Sequence, residues 1–305
     1  MIPIPGPARI GDFVLPEPLR RRPPRTPPAT GPLFSRGSEP ADVTDAESSV
    51  GPPTVAACQM AVTDLDVPAN VDAVCERVRD LPPAVDVALF PEYALTGFVA
   101  DGRVREAALS RDGDALARLG DLAADAGCGL LVGFVEEASG CESTCYNAVA
   151  YLHPDGDRTV YRKRHLWADE REVLAPGRER VTVETPVGTT GLLTCYDLNF
   201  VGESAAFAVS EVDALFVVGA WPAAHSQNWK LLLRARALDG VRWVVGAGRT
   251  GRKTVGDPTA YAGRSRVVRP DGSVQAGLNR GERDLVADLD PAVLAECREF
   301  IPVFE

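Results

Sequence analysis

The sequence predicts an α/β protein of layered sheets, and three observations carry that prediction. From Thr54 onward, short apolar runs of strand length alternate with segments whose apolar residues recur at helical spacing. Several strand-like runs are continuously apolar and read as buried. No repeat of fixed period is present. Such an order points to sheets covered by helices, not to a helical bundle or an all-β sandwich.

Each element has a local reason. Val55 to Met60 is a short buried strand, and Asn70 to Arg79 has helical spacing with Val71, Val74, Cys75 and Val78 on one face. Val85 to Phe90 is a second apolar strand, ending at Pro91-Glu92. Asp114 to Ala126 is an amphipathic helix stopped by Gly127 as a C-cap. Gly129 to Val135 and Tyr146 to Leu152 are strands. The turn Pro154-Asp155-Gly156 then leads back into extended structure from Thr159 to His165, a hairpin. The second half repeats the alternation: strand at 191–194, helix at 203–210, strand at 214–218, helix at 227–238 and strand at 242–247. Tyr261 to Val268 alternates as a strand before the turn Arg269-Pro270-Asp271-Gly272, and Leu285 to Asp288 is a last short strand.

A chain of 305 residues can bury a sizeable core, and one domain over 54–305 fits this order best. Residues 1–53 are rich in Pro, Arg, Ser and Gly without strand or helix period, the composition of a disordered tail or of a stretch ahead of a later translation start. Arg20-Arg21-Arg22 is followed by prolines instead of an apolar stretch, so no signal peptide is expected. A net charge of −11 argues against nucleic acid or an anionic membrane as the main partner. Seven cysteines, an odd number and several in apolar runs, fit a reduced cytoplasmic compartment better than a disulfide framework.

The chemistry gathers at strand ends. Cys195 closes the apolar run Gly191-Leu192-Leu193-Thr194 and begins a turn into a helix. A thiol there can project above a sheet, with the N–H groups of the turn free to meet an anion. An ordinary thiol, with a pKa of about 8.5, is only about 3% thiolate at neutral pH and needs help. A carboxylate can take its proton and an ammonium can stabilise the charge that develops. Glu92, in Leu89-Phe90-Pro91-Glu92-Tyr93, and Lys163, in Tyr161-Arg162-Lys163-Arg164-His165, both stand at or beyond predicted strand ends. Taken singly, each has a plain structural reading: a buried small hydrophobe, a solvated strand end, an exposed basic cluster. Together they describe a Glu–Lys–Cys hydrolase.

These segments resemble the nitrilase superfamily, the carbon–nitrogen hydrolases, over nearly everything after Val55. The glutamate motif is similar to Leu89 through Gly97, the lysine motif to Tyr161 through Leu166, and the cysteine motif to Cys195-Tyr196-Asp197. Ala220-Trp221-Pro222, Gly263-Arg264-Ser265 and the ending with Arg298 and Pro302 fit as well. The resemblance implies a four-layer α-β-β-α sandwich that often forms homodimers or higher homo-oligomers. Glu92 would be its base, Lys163 its stabiliser and Cys195 its nucleophile. It also implies a second glutamate before Pro176-Gly177, at Glu170, where a carboxylate would hold the Lys163 ammonium charged. A solvated loop charge is the equal alternative for Glu170. Tyr196 and Trp221 become candidates for the oxyanion and substrate pocket, and Trp221 reads equally as a core aromatic.

Two departures stand out. Asn199 occupies a position where the family frequently has arginine, and one residue is inserted before Glu203, so the ion pair often built there lacks its usual partner. Leu238-Asp239-Gly240 replaces a frequent Glu-Asn pair. Cys195-Tyr196-Asp197 resembles the amidase and carbamoyl-amide branches, since true nitrilases often follow the cysteine with Trp-Glu. The expected reaction is hydrolysis of a small linear amide or N-carbamoyl amine through an acyl-enzyme. Nitrile hydrolysis, acyl transfer to an amine and a non-catalytic scaffold are the alternatives. No cofactor is expected. Cys141, Cys145, His153 and His165 form no tight C-x-x-C pattern, so no metal is expected either. His225 is a candidate for the pocket rim or for packing, and Arg234 and Arg236 are assigned to a half-solvated helix face.

Overall fold

A computed structural model describes residues 51–138 and 144–303. Cys141 and residues 1–50 lie outside the described residues, as does nearly all of the expected tail. Pro53 already belongs to the folded unit, its carbonyl accepting the Leu289 N–H at 2.8 Å.

The first half folds as β1 (Thr54–Gln59), α1 (Val67–Asp80), β2 (Val87–Leu89), α2 (Asp114–Ala126), β3 (Gly129–Glu137), β4 (Cys145–Leu152) and β5 (Arg158–Arg162). The second comprises the short helix α3 (Glu170–Val173), β6 (Thr182–Thr185), β7 (Gly188–Thr194), α4 (Val201–Val209), β8 (Ala214–Gly219), α5 (Ser226–Leu238) and β9 (Trp243–Gly248). β10 (Arg266–Val268), β11 (Val274–Gly277), β12 (Arg283–Asp288) and α6 (Pro291–Phe300) complete it. Two six-stranded sheets result, in the orders β12-β1-β2-β3-β4-β5 and β11-β10-β9-β8-β7-β6. In each, three parallel strands (β1-β2-β3 and β7-β8-β9) run on into an antiparallel meander. The two halves thus share a topology although no sequence period marks it.

Strand alternation builds the layers, because successive side chains point to opposite faces. Val55 and Ala57 of β1 join Val87, Leu89 and Leu131 in a core shared with Leu192, Phe216, Val218, Val245 and Ala247 of the other sheet. Ala56, Cys58, Ala88, Leu130 and Val132 face the other way, onto Val71, Val74 and Val78 of α1 and Leu116 and Leu119 of α2. On the far side, Leu193, Leu215, Val217 and Val244 pack on Phe207 of α4 and on Trp229, Leu233 and Ala237 of α5. This is the expected α-β-β-α sandwich. Strands with both faces covered are continuously apolar for that reason.

The differences from expectation lie at the edges. The strand at 261–268 shrinks to β10, because Gly263 and Arg264 take left-handed backbone, at φ +59° and +60°. β6 and β11 are edge strands with mostly exposed or half-buried residues, so they lack an apolar signature. α6 begins at an Asp290 cap, whose carboxylate accepts the Ala292 N–H, followed by Pro291, but buries only Leu294. Among the described residues, no helix is long and apolar enough to cross a membrane.

Candidate active site

Three strand ends bring the site together. Glu92 lies just past β2, in a turn laid flat on β3. A Cβ at Gly133 would stand 2.5 Å from the Pro91 carbonyl oxygen and 2.8 Å from the Glu92 Cα, so only glycine admits that approach. Lys163 follows β5 directly. Its N–H donates to the Asn147 carbonyl and its own carbonyl accepts the Gly177 N–H, each at 2.8 Å. A Cβ on Gly177 would come within 2.1 Å of the Arg162 carbonyl oxygen, which accounts for the Pro-Gly pair.

Cys195 follows β7 with φ +47°, a left-handed conformation that costs a non-glycine residue about 1–3 kcal/mol. Asp197 holds it. The buried Asp197 carboxylate accepts the Thr194 N–H at 3.0 Å, the His165 N–H at 3.0 Å and the Tyr161 hydroxyl at 2.6 Å, and lies 2.9 Å from His165 Nδ1. Arg236 donates twice to the Leu198 carbonyl, at 3.1 and 2.8 Å. The assignment of Arg236 to a half-solvated face is therefore corrected: it is buried, because the turn after Cys195 needs a donor there. Arg234 keeps a more open position, donating to the Gly272 carbonyl.

Lys163 sits between two carboxylates. Its Nζ is 2.8 Å from Glu92 Oε1 and 2.9 Å from both oxygens of Glu170, and all three residues are buried. Glu92 Oε2 accepts the Ala220 N–H at 2.7 Å, tying it to the strand end of β8. Glu170 also accepts the Tyr93 hydroxyl at 2.5 Å and the Trp167 N–H at 2.7 Å. Glu170 is therefore no solvated loop charge. Burial alone would push the Lys163 ammonium down, but Glu170 and then Glu92 outweigh it and hold its pKa well above the usual lysine value. Burial and next the Glu92 carboxylate push the Cys195 thiol well up, against the opposing pull of Lys163. Burial thus favours the neutral form of the Cys195 thiol. An ultraviolet thiolate titration between about pH 6 and 9 is expected to be identical for the parent chain and Cys195→Ala.

Glu92, Lys163, Glu170, Cys195, Tyr196, Trp221 and His225 all line one cavity of about 600 Å³. Trp221 is pocket wall and core at once, packing on Trp229 with centroids 5.6 Å apart. Asn147 carries no local mark of function in the sequence, and Tyr93 and Asp197 enter it only as members of the glutamate and cysteine motifs, without a role of their own. The ion pair lacking its usual arginine is made in another way: buried Glu203 pairs with Arg164 and with Arg180 at 2.9 Å. Cys145 packs in an apolar cluster with Val99, Val104 and Val135. His153 sits edge-on to Tyr151, while His165 stacks on Phe200. Among the described residues, no group of three or more His, Cys, Asp or Glu is arranged to hold a metal ion.

Fold and site define a class: a four-layered sandwich whose strand ends set a carboxylate–ammonium–carboxylate cluster beside a cysteine. The chain belongs to the carbon–nitrogen hydrolase family, whose model matches residues 54–299. It is similar to omega-amidase YafV of Escherichia coli (strain K12), 32% identical over 244 residues that cover 79% of this chain and 91% of that protein. It is also similar to the deaminated glutathione amidase of Rattus norvegicus, 31% identical over 271 residues, 83% of this chain and 81% of that one. Among solved structures, XC1258 from Xanthomonas campestris, a CN-hydrolase superfamily protein with an arsenic adduct in the active site, matches with a TM-score of 0.75. It is 27% identical, covering 83% of this chain and 96% of that chain.

Proposed function

We propose that the protein hydrolyses the C–N bond of a small linear amide through an acyl-enzyme on Cys195. The supporting observation is that Cys195, Glu92 and Lys163, its Nζ against two buried carboxylates, line one cavity. Because the thiol is neutral at rest, attack and proton transfer are coupled: Glu92 takes the proton as sulfur bonds to the carbonyl carbon. The carbonyl oxygen becomes anionic and is met by Lys163 Nζ and by the N–H groups that open the turn at Tyr196, where one such donor is typically worth about 10²–10³ in rate. Protonated Glu92 then gives its proton to the leaving nitrogen as the C–N bond breaks. A water deprotonated by Glu92 cleaves the thioester, releasing the carboxylic acid and the thiol. Glu170 keeps Lys163 charged throughout. The functional unit is the segment 54–305, with Pro53 tied to it through the Leu289 N–H.

Lys253 supports a narrower substrate class. It lines the same cavity, 5.9 Å above the Phe98 ring, and makes no ion pair with any described residue. A carboxylate at the far end of the amide would supply the counter-ion. Lys253→Met is expected to raise KM about tenfold for a carboxylate-bearing monoamide and to leave a neutral amide of equal length unchanged. Self-association belongs to the same proposal, supported by Val201, Val209 and Leu231 exposed on α4 and α5. Intact mass spectrometry after incubation with small amides tests the reaction. An acyl adduct on Cys195 is expected, forming more slowly when Glu92 is replaced by Gln; adduct-free protein with sustained turnover would overturn it.

A further inference from the structure

We propose that Asn147 is a positioning residue that selects which oxygen of Glu92 acts as the base. The inference rests on the reading of Glu92 as that base. Asn147 stands in β4, buried and absent from the cavity lining, so it touches no substrate. Its Nδ2 lies 2.8 Å from Glu92 Oε1, 2.8 Å from the Tyr93 hydroxyl oxygen and 3.0 Å from Glu170 Oε1. Two hydrogens thus serve three acceptors, and one amide group spans both carboxylates of the cluster.

Lone pairs decide the consequence. Each carboxylate oxygen accepts through two. Glu92 Oε1 already receives Lys163 Nζ at 2.8 Å, so the Asn147 amide fills its second position. Glu92 Oε2 receives the Ala220 N–H at 2.7 Å and keeps one position open. The thiol proton therefore goes to Oε2, and Asn147 closes the competing oxygen. A neutral amide suits this role, since a second cation would weaken the base that must accept the proton and an apolar residue would leave Oε1 open. Asn147 also carries the carbonyl that receives the Lys163 N–H at 2.8 Å, so one residue aligns the base and the ammonium.

The titratable groups facing Glu92 are Lys163 beyond β5, Glu170 on α3, Cys195 beyond β7, neighbouring Tyr93 and, more distantly, Tyr261, a neutral phenol on which the Glu92 charge acts. Losing the amide donor takes one hydrogen bond from the Glu92 carboxylate against that fixed background. In Asn147→Leu, kcat/KM is expected to fall about 10- to 100-fold, mainly in kcat, with the acid limb of its pH profile moved up by about half a unit or more. Asn147→Asp keeps the shape and adds an acid beside Glu92, so it moves the limb the same way and serves where the leucine variant fails to fold. The pH dependence of Cys195 alkylation by iodoacetamide in the same variants needs no turnover. A parent chain inactive on every amide would remove the proposed reaction, while a shifted alkylation profile would still support Asn147. Parental pH limbs in both measurements, for every variant that folds, would overturn the inference.

Discussion

Cys195→Ala is expected to lower kcat/KM for any amide substrate by at least about 10⁴-fold while moving stability by about 1 kcal/mol or less. The loss is large because, in the proposed reaction, sulfur forms the covalent bond on which both halves depend. No other thiol can stand in for it: among the described residues, Cys58, Cys75, Cys128, Cys145 and Cys297 do not line the cavity. The stability change is small because Cys195 begins a turn that Asp197 and Arg236 hold through backbone groups. Steady-state kinetics beside a thermal melt separates the two effects. Unchanged turnover in this variant would refute the acyl-enzyme reading altogether.

Lys163→Met is expected to damage both activity and fold. Removing one partner of a buried charge cluster costs about 3–5 kcal/mol, and here two carboxylates lose the same counter-ion. The pH dependence gives the sign. In the parent, the Lys163 pKa is raised above its unfolded value of about 10.4, so its contribution is complete below that pH and fades only in strong alkali. Without the ammonium, Glu92 and Glu170 repel one another, which favours a protonated carboxyl. The variant therefore gains stability as pH falls through the carboxylate range, relative to the parent. Thermal melts of both chains across pH check this. Parallel curves would mean that the two carboxylates do not depend on Lys163.

The trio Glu92, Lys163 and Cys195 is legible in the sequence because each member follows its own strand within three residues, and a strand end is a local signal. Glu170 requires the resemblance, since Asp169-Glu170-Arg171-Glu172 reads locally as a solvated run. Asn147 and Tyr93 fall within a strand and a motif without a role, for nothing in a strand pattern marks an inward amide as a hydrogen-bond hub. The contacts that give them roles span 55 residues from Asn147 to Glu92 and 77 from Tyr93 to Glu170. Arg236 departs from its sequence reading for a related reason: its acceptor, the Leu198 carbonyl, is 38 residues away.

Amino-acid order by itself determined the alternating elements, the doubly buried strands and the three candidate side chains at strand ends, because apolar periodicity and strand termini are properties of short segments. Tertiary structure alone decided the two carboxylates that flank Lys163, the burial that pushes the Cys195 thiol up and the hydrogen-bond partners of each Glu92 oxygen. Those depend on desolvation and on donors from other strands, which exist only once the two sheets have closed on one another.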